Sequence, residues 1–195
     1  MATDVRTRGR ELLRGELADA AAKFCAERGF DMVTVEEIAR AIGISRATFF
    51  RYFASKEDAV VTSARIGRLS LAEQLRRVTP SPGTPVSRAV LEAMTATVVA
   101  ARTEPEVLRA RVAMIGASPS LRATLASERS TQRADLEVAL RELVAGDAQA
   151  RAAAYAAMAA IEMAWETWRS EDVDFGDALE QAFELIAEVN RTLIS

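Results

Sequence analysis

The 195-residue chain contains no histidine, a single cysteine, five prolines, nine glycines and only 6% aromatic residues. Each shortage closes off a class of protein. Without histidine there is no imidazole general acid or base, no Ser-His-Asp triad and no His-ligated metal site. The Glu-x-x-His ligands of a ferritin-like di-iron bundle are missing too. The lone Cys25 cannot form an internal disulfide. It lies beside Phe24 in an apolar helical stripe and reads as a small buried hydrophobe rather than a redox sensor. Scarce proline and glycine favour helices throughout and argue against a sandwich or barrel. No stretch reaches the ~18 apolar residues of a membrane span, and the first residues lack the apolar core of a signal peptide. The expectation is a cytoplasmic protein with no membrane partner. No convergent set of carboxylates or thiols is visible, so neither catalysis nor a cofactor is expected.

What is present begins with a hydrophobic content of 50%, enough for a substantial core. The net charge is −3. Residues 1–56 carry ten Lys/Arg against eight Asp/Glu (+2), and residues 57–195 the remaining fifteen against twenty (−5). That sign asymmetry suits a DNA reader followed by an acidic body. The division predicted is residues 1–56 and residues 57–195.

Residues 1–9 read as an unstructured arm, with Arg6, Arg8 and Arg10 either solvated or touching phosphates and the minor groove. A first helix is predicted over about Arg10–Arg28, with Leu13, Leu17, Ala20, Ala21 and Phe24 on one face and Gly29 closing it. Helix two covers about Val35–Ile42 and helix three about Arg46–Phe53. Helix four starts near Lys56 and extends toward Arg77. The stretch TPSPGTP (79–85) is the clearest break. Five more segments follow: Pro85–Arg102, Glu104–Ile115, Pro119–Ala145, Asp147–Arg169 and Phe175–Leu193. The fold expected is therefore all-α with about nine helices: an N-terminal three-helix domain and a helical body.

The most informative stretch is TVEEIARAIGISRATFFRYFASK, residues 34–56. Thr34 with Glu37 three positions on forms a capping-box pattern. Ser45 can cap the next helix, and Ser55 the one after. Gly43 sits where two short helices turn sharply, a site for the left-handed conformation. Polar caps at these spacings around Ile38, Ala39, Ile42 and Ile44 describe a helix-turn-helix that offers one short helix to the major groove.

Together with the following Glu57-Asp58, this run resembles the DNA-binding domain of the tetracycline-repressor (TetR) family over about residues 10–60. The aromatic run ending in Tyr-Phe-x-x-Lys and followed by acidic residues makes the likeness specific. The resemblance implies a DNA-binding transcriptional regulator and assigns roles by position. Arg46 and Thr48 meet base edges, and an arginine can donate two hydrogen bonds to a guanine. Ala47 lets the backbone approach and can touch a thymine methyl. Ser45 starts the reading helix. Phe50 stands where relatives carry a phosphate-binding tyrosine, so it packs or touches a sugar. Arg51 takes a base or phosphate, Tyr52 a phosphate. Lys56 and Thr34 hold phosphates at helix N-termini.

One reading helix covers about half a turn of groove, so a homodimer on a palindromic double-stranded operator is expected, with half-sites ~34 Å or more apart. Ala153 and Ala157, with Leu179, Phe183, Ile186 and Leu193, form the candidate dimer surface. The alternative for these residues is burial within one chain. Met94, Val98, Met114, Ile115, Leu125, Met158 and Trp165 are candidate pocket residues for a small apolar ligand, with plain core as the alternative. Glu162, one turn before Trp165, either orients the ligand or faces solvent. Residues 108–128 are similar to the C-terminal domain of mycofactocin-type regulators, which implies a fatty acyl-CoA effector. Arg109, Arg111 and Arg122 would then meet its phosphates. The function expected is a repressor released by such a ligand. Two alternatives stay open: an effector-independent DNA-binding protein, and a ligand carrier or helical enzyme on the same fold.

Overall fold

The computed structural model describes the backbone of residues 2–63, 70–81 and 83–192, and the side chains of 9–63, 70–81 and 83–188. These residues are all-α. In chain order they form α1 (Ala2–Arg28), the 3-10 turn η1 (Phe30–Met32), α2 (Val35–Ala41), α3 (Arg46–Tyr52) and α4 (Lys56–Ser63). Then come α5 (Leu71–Leu75), α6 (Val86–Ala93), α7 (Thr95–Thr103) and α8 (Pro105–Ala117). The last three are α9 (Pro119–Leu140), α10 (Asp147–Ser170) and α11 (Phe175–Thr192).

Among the described residues eleven α-helices stand where about nine were expected, and two interruptions account for the difference. The fourth expected helix is cut because Ser70 starts a new one. Its hydroxyl accepts from the Glu73 amide (3.2 Å) while Glu73 Oε2 accepts from the Ser70 amide (2.8 Å), a complete capping box. The segment after the proline break divides at Met94–Thr95. There the Thr95 hydroxyl donates back to the Glu92 carbonyl at 2.7 Å, competing with the helical ladder. A third difference lies at the N-terminus: α1 runs back to Ala2, so the expected arm is helical. The Arg6 and Arg8 side chains lie outside the described residues.

The chain divides into two compact units. One comprises the described residues of Met1–Arg68 with Glu106–Ser127, the other those of Leu69–Pro105 with Glu128–Ser195. The boundary expected at residue 56 thus falls inside the first unit, because α4 packs along α1.

In the first unit, Phe49, Phe53, Ile38, Val60 and Cys25 are buried to within 1% of full exclusion. Burying one such Phe or Val side chain contributes about 1.5–3 kcal/mol. Burial pushes the Cys25 thiol up to about 11, which fits an unreactive core position. The buried face of α1 is Ala18, Ala21, Ala22 and Cys25, with Leu17 and Phe24 partly covered. Leu13 and Ala20, expected on that face, are exposed, because the small-residue edge of the helix turns inward. Ile115 on α8 and Leu121 on α9 complete this core. Arg111 on α8 donates to the Ser63 carbonyl at the end of α4 (2.8 Å) and pairs with Asp19 on α1 (3.0 Å).

In the second unit the long helices α10 and α11 pair face to face. The inward side of α10 is a stripe of small residues: Ala150, Ala154, Ala157, Ala160 and Ala164, all fully buried. Trp168 ends the stripe. Trp165, Trp168 and Phe175 form an aromatic cluster, with Trp165 and Phe175 centroids 4.4 Å apart. The start of α11 is fixed by Asp174, whose Oδ1 accepts the Gly176 and Asp177 amides (2.8 and 3.3 Å). Arg102 grips the same carboxylate with a two-pronged contact (2.6 and 3.0 Å). The Arg102 hydrogen bond is the main reason that the Asp174 carboxyl is held below its ordinary value.

Candidate nucleic-acid interface

The helix-turn-helix forms as the capping pattern requires. The Thr34 hydroxyl accepts from the Glu37 amide (3.3 Å), and Glu37 Oε2 accepts from the Thr34 amide (2.9 Å) and hydroxyl (2.8 Å). Ser45 Oγ accepts from the Thr48 amide at 3.0 Å and starts α3. Gly43 has φ 74°, a conformation that any Cβ would strain. The Ile44 amide then donates to the Ala39 carbonyl (2.9 Å), closing the turn.

Helix α3 is thereby held with one side in the core and one in solvent. Phe49 is fully buried, while Arg46, Ala47, Phe50 and Arg51 are exposed and Thr48 and Tyr52 half-buried. These are the faces on which base-reading and phosphate-binding residues were expected. Arg46 Nε lies 2.5 Å from Glu36 Oε1 on α2, and its guanidinium sits 4.9 Å from the Phe50 ring centroid.

The other end of α3 carries a device that the motif reading missed. Arg10 Nη2 donates to the Arg51 carbonyl (3.0 Å) and Arg14 Nε to the Tyr52 carbonyl (2.9 Å). These are the last carbonyls of a helix, where cations are favoured. Arg14 also bonds Asp58 Oδ1 (2.9 Å), and Asp58 Oδ2 accepts from the Ala54 amide (2.8 Å). So Arg10, expected on a free arm, clamps α3 from α1. Its spacing from Arg14, one helical turn, was the signal available in the sequence.

Lys56 is placed differently from the expectation. Its ammonium donates to the Phe30 and Val33 carbonyls (3.1 and 3.3 Å) and lies 4.4 Å from the Phe30 ring centroid. It ties the η1 turn to the start of α4 instead of standing out toward a phosphate. Thr34 is exposed, but Glu37 occupies both its amide and its hydroxyl.

The residues assigned to a pocket are divided between the two units. Ile115 is buried, and Met114 and Leu125 half-buried, against the core of the first unit. Met94 is buried and Val98, Met158 and Trp165 are half-buried in the second unit. Glu162 is exposed and ion-paired with Arg129. Arg111 is committed to Ser63 and Asp19, and Arg122 donates to the Gly116 carbonyl at 2.5 Å. Of the dimer candidates, Ala157 and Leu179 are fully buried within the chain. The inward face of α10 therefore packs inside the protomer. Ala153, Phe183 and Ile186 are half-buried, and Leu193 lies outside the described residues. Tyr155 (56% exposed) and Leu185 (44%) are the large side chains that α10 and α11 leave most open.

A capped helix-turn-helix on an all-helical chain, with basic and polar side chains along the outer face of α3, is the signature of a DNA reader. Residues 17–60 match the bacterial regulatory proteins of the tetR family, and residues 84–191 match the MftR C-terminal domain. The chain belongs to the TetR family of DNA-binding transcriptional regulators. A candidate mycofactocin biosynthesis transcriptional regulator, MftR of Mycobacterium tuberculosis, is 52% identical over 40 residues. That match covers 20% of this chain and 20% of the relative.

Solved structures share the fold. The fatty acid degradation regulator FadR from Bacillus halodurans superposes with a TM-score of 0.52 at 17% identity, covering 88% of this chain and 93% of that one. FadR from Bacillus subtilis, solved in complex with stearoyl-CoA, gives 0.51 at 16% identity, with 87% and 95% covered. No helix among the described residues is long and apolar enough to cross a membrane.

Proposed function

We propose that the chain is a homodimeric repressor that binds a palindromic operator through α3 and leaves it when a fatty acyl-CoA occupies the body. The observation that carries the DNA half is the clamped reading helix. α3 is capped by Ser45 at one end, gripped by Arg10 and Arg14 at the other, and presents Arg46, Ala47 and Thr48 outward. Arg46 is the base reader, Thr48 and Ala47 its neighbours in the groove, and Arg51 and Tyr52 the phosphate contacts.

The ligand half rests on the MftR-type C-terminal domain and on the stearoyl-CoA bound by the Bacillus subtilis relative. Met94, Val98, Met158 and Trp165 are the residues of this chain that suit an acyl chain. The exposed sides of α10 and α11, with Tyr155 and Leu185, are the surface for the second subunit. Ligand binding would favour the arrangement of the dimer that does not fit DNA.

The test is fluorescence anisotropy of the full chain on duplex from upstream of its own gene, with unlabelled competitor and at two salt concentrations. Saturable binding that resists competitor and falls on adding stearoyl-CoA is the expected result. Arg46→Ala should cost about 1–3 kcal/mol on the preferred duplex and flatten one base preference. Complete loss of binding to competitor at both salts would overturn the repressor reading. Binding indifferent to stearoyl-CoA would overturn the effector assignment alone.

A further inference from the structure

Arg46 is not a free lysine-like charge waiting for DNA. It is the first residue of α3, and two side chains hold it. Glu36, in the first turn of α2, meets its Nε at 2.5 Å. Phe50, one turn further along α3, lies beneath its guanidinium at 4.9 Å. Phe50 in turn meets Phe49 edge-on, with centroids 5.6 Å apart and planes at 86°. Phe49 is fully buried, so the shelf under Arg46 stands on the core. Glu36 is equally well founded, since its neighbour Glu37 fastens the start of α2 to Thr34. The Glu36 contact is an ion pair, and no hydrogen bond within the described residues engages any guanidinium nitrogen of Arg46.

We infer that Glu36 and Phe50 are specificity-determining residues that act through Arg46, fixing its guanidinium edge-out so that its terminal nitrogens form a ready fork for one guanine. The geometry has a chemical logic. An arginine reads guanine with two parallel donors, a contact that requires the plane of the guanidinium to be set. A flat aromatic face orients that plane, and the Glu36 carboxylate draws the Nε edge toward α2 by charge, leaving the outer edge for the base. A phenylalanine does this where a tyrosine hydroxyl would add a competing polar group. Glu36 has a second effect. Its negative charge on the DNA-facing side opposes phosphates, so it lowers affinity for duplex in general while sharpening choice among duplexes.

This inference rests on the reading of Arg46 as a base contact, and the experiment separates the two. Full-length protein is used to select duplexes from a randomised library. Glu36→Gln, Phe50→Leu, Arg46→Ala and the Arg46→Ala/Phe50→Leu double variant are then titrated against the selected duplex and its single-base-pair variants. Phe50 is 42% exposed, so its replacement by leucine leaves the core filled. Expected is a loss of about 3–10-fold in discrimination for Glu36→Gln and for Phe50→Leu, confined to the base pair that Arg46→Ala flattens. Phe50→Leu should add nothing in the Arg46→Ala background. Glu36→Gln should also bind unrelated duplex more tightly than wild type. Full discrimination in both single variants, or a uniform loss over all duplexes, overturns the inference while leaving Arg46 as reader. An Arg46→Ala variant with every base preference intact overturns that reading, and the inference with it.

Discussion

In the first unit the helices around the reading face are short and their ends carry the order; in the second the paired helices α10 and α11 are long and their faces do. Helices α2 and α3 have seven residues each, too short to persist alone. Side chains answer several of the backbone groups at and beside these ends: Thr34 and Glu37, Ser45, Arg10, Arg14, Asp58 and Lys56. The second unit has polar clusters of its own, at Asp174 and around Glu137 among others. At Glu137, Arg141 approaches to 3.0 Å, Arg151 to 3.4 Å and Arg133 to 3.9 Å. Elsewhere α10, with 24 residues, relies on alanines that admit α11 closely. A reader of DNA needs side chains held at set angles, which directional bonds provide. The alanine-lined pairing of α10 with α11 is held by non-directional apolar contact instead.

The largest effect that would break this contrast is in the head. Phe49→Ala removes a fully buried ring and should cost about 3–5 kcal/mol. Hydrogen exchange should then show α2–α4 losing protection while α10 and α11 keep theirs. Equal loss in both would deny the head a stability of its own. Next comes Ala157→Leu, which overfills the α10 stripe and should cost about 1–3 kcal/mol. Thermal melting should report it, with anisotropy on a selected duplex at low temperature unchanged. A reduced affinity there would mean that body packing sets the reading face.

Lys56→Met is sharper still, because its two readings differ in kind. If the ammonium serves the Phe30 and Val33 carbonyls, stability drops by about 1–2 kcal/mol and the salt dependence of DNA binding keeps its slope. A slope lower by about one would instead return Lys56 to the phosphate backbone.

The smallest effect concerns acid. Hydrogen bonds first from the Thr34 amide and then from its hydroxyl hold the Glu37 carboxyl below 4.5, its ordinary value. A carboxyl lowered on folding stabilises above its unfolded value and loses that contribution as pH falls through the folded one. Below pH 4.5 the wild-type head should therefore weaken slightly more than Glu37→Gln does. Parallel acid limbs for the two proteins would show that the capping box carries no net charge linkage.

The same contrast explains what could be read from the amino-acid sequence. Caps and turns are local: Thr34, Glu37, Gly43 and Ser45 act within a few residues, so α2 and α3 appeared within a residue of where they stand. Contacts distant in sequence left no such trace. Nothing near Lys56 announces that its ammonium turns back to Phe30, 26 residues earlier. Composition cannot tell which side of an alanine-rich helix faces inward, so Ala157 suits a dimer surface and burial within one chain alike; within the protomer it is buried. Methionine and isoleucine suit a pocket or a core alike, and Ile115 proved to belong to the head.

The head draws on chain far from its motif. Ile115 and Leu121 fill its core, Arg111 bonds the Ser63 carbonyl, and Ser120 donates to Glu57 at 3.3 Å. A reading domain cut out after α4 would lack Ile115 and Leu121 from its core and lose the Ser63 carbonyl's partner. Anyone exchanging operator preference between relatives by swapping only the first sixty-odd residues should expect a poorly soluble hybrid. A graft that carries residues 106–127 with them keeps the set whole. What looks in the linear chain like a detachable module is a two-piece part.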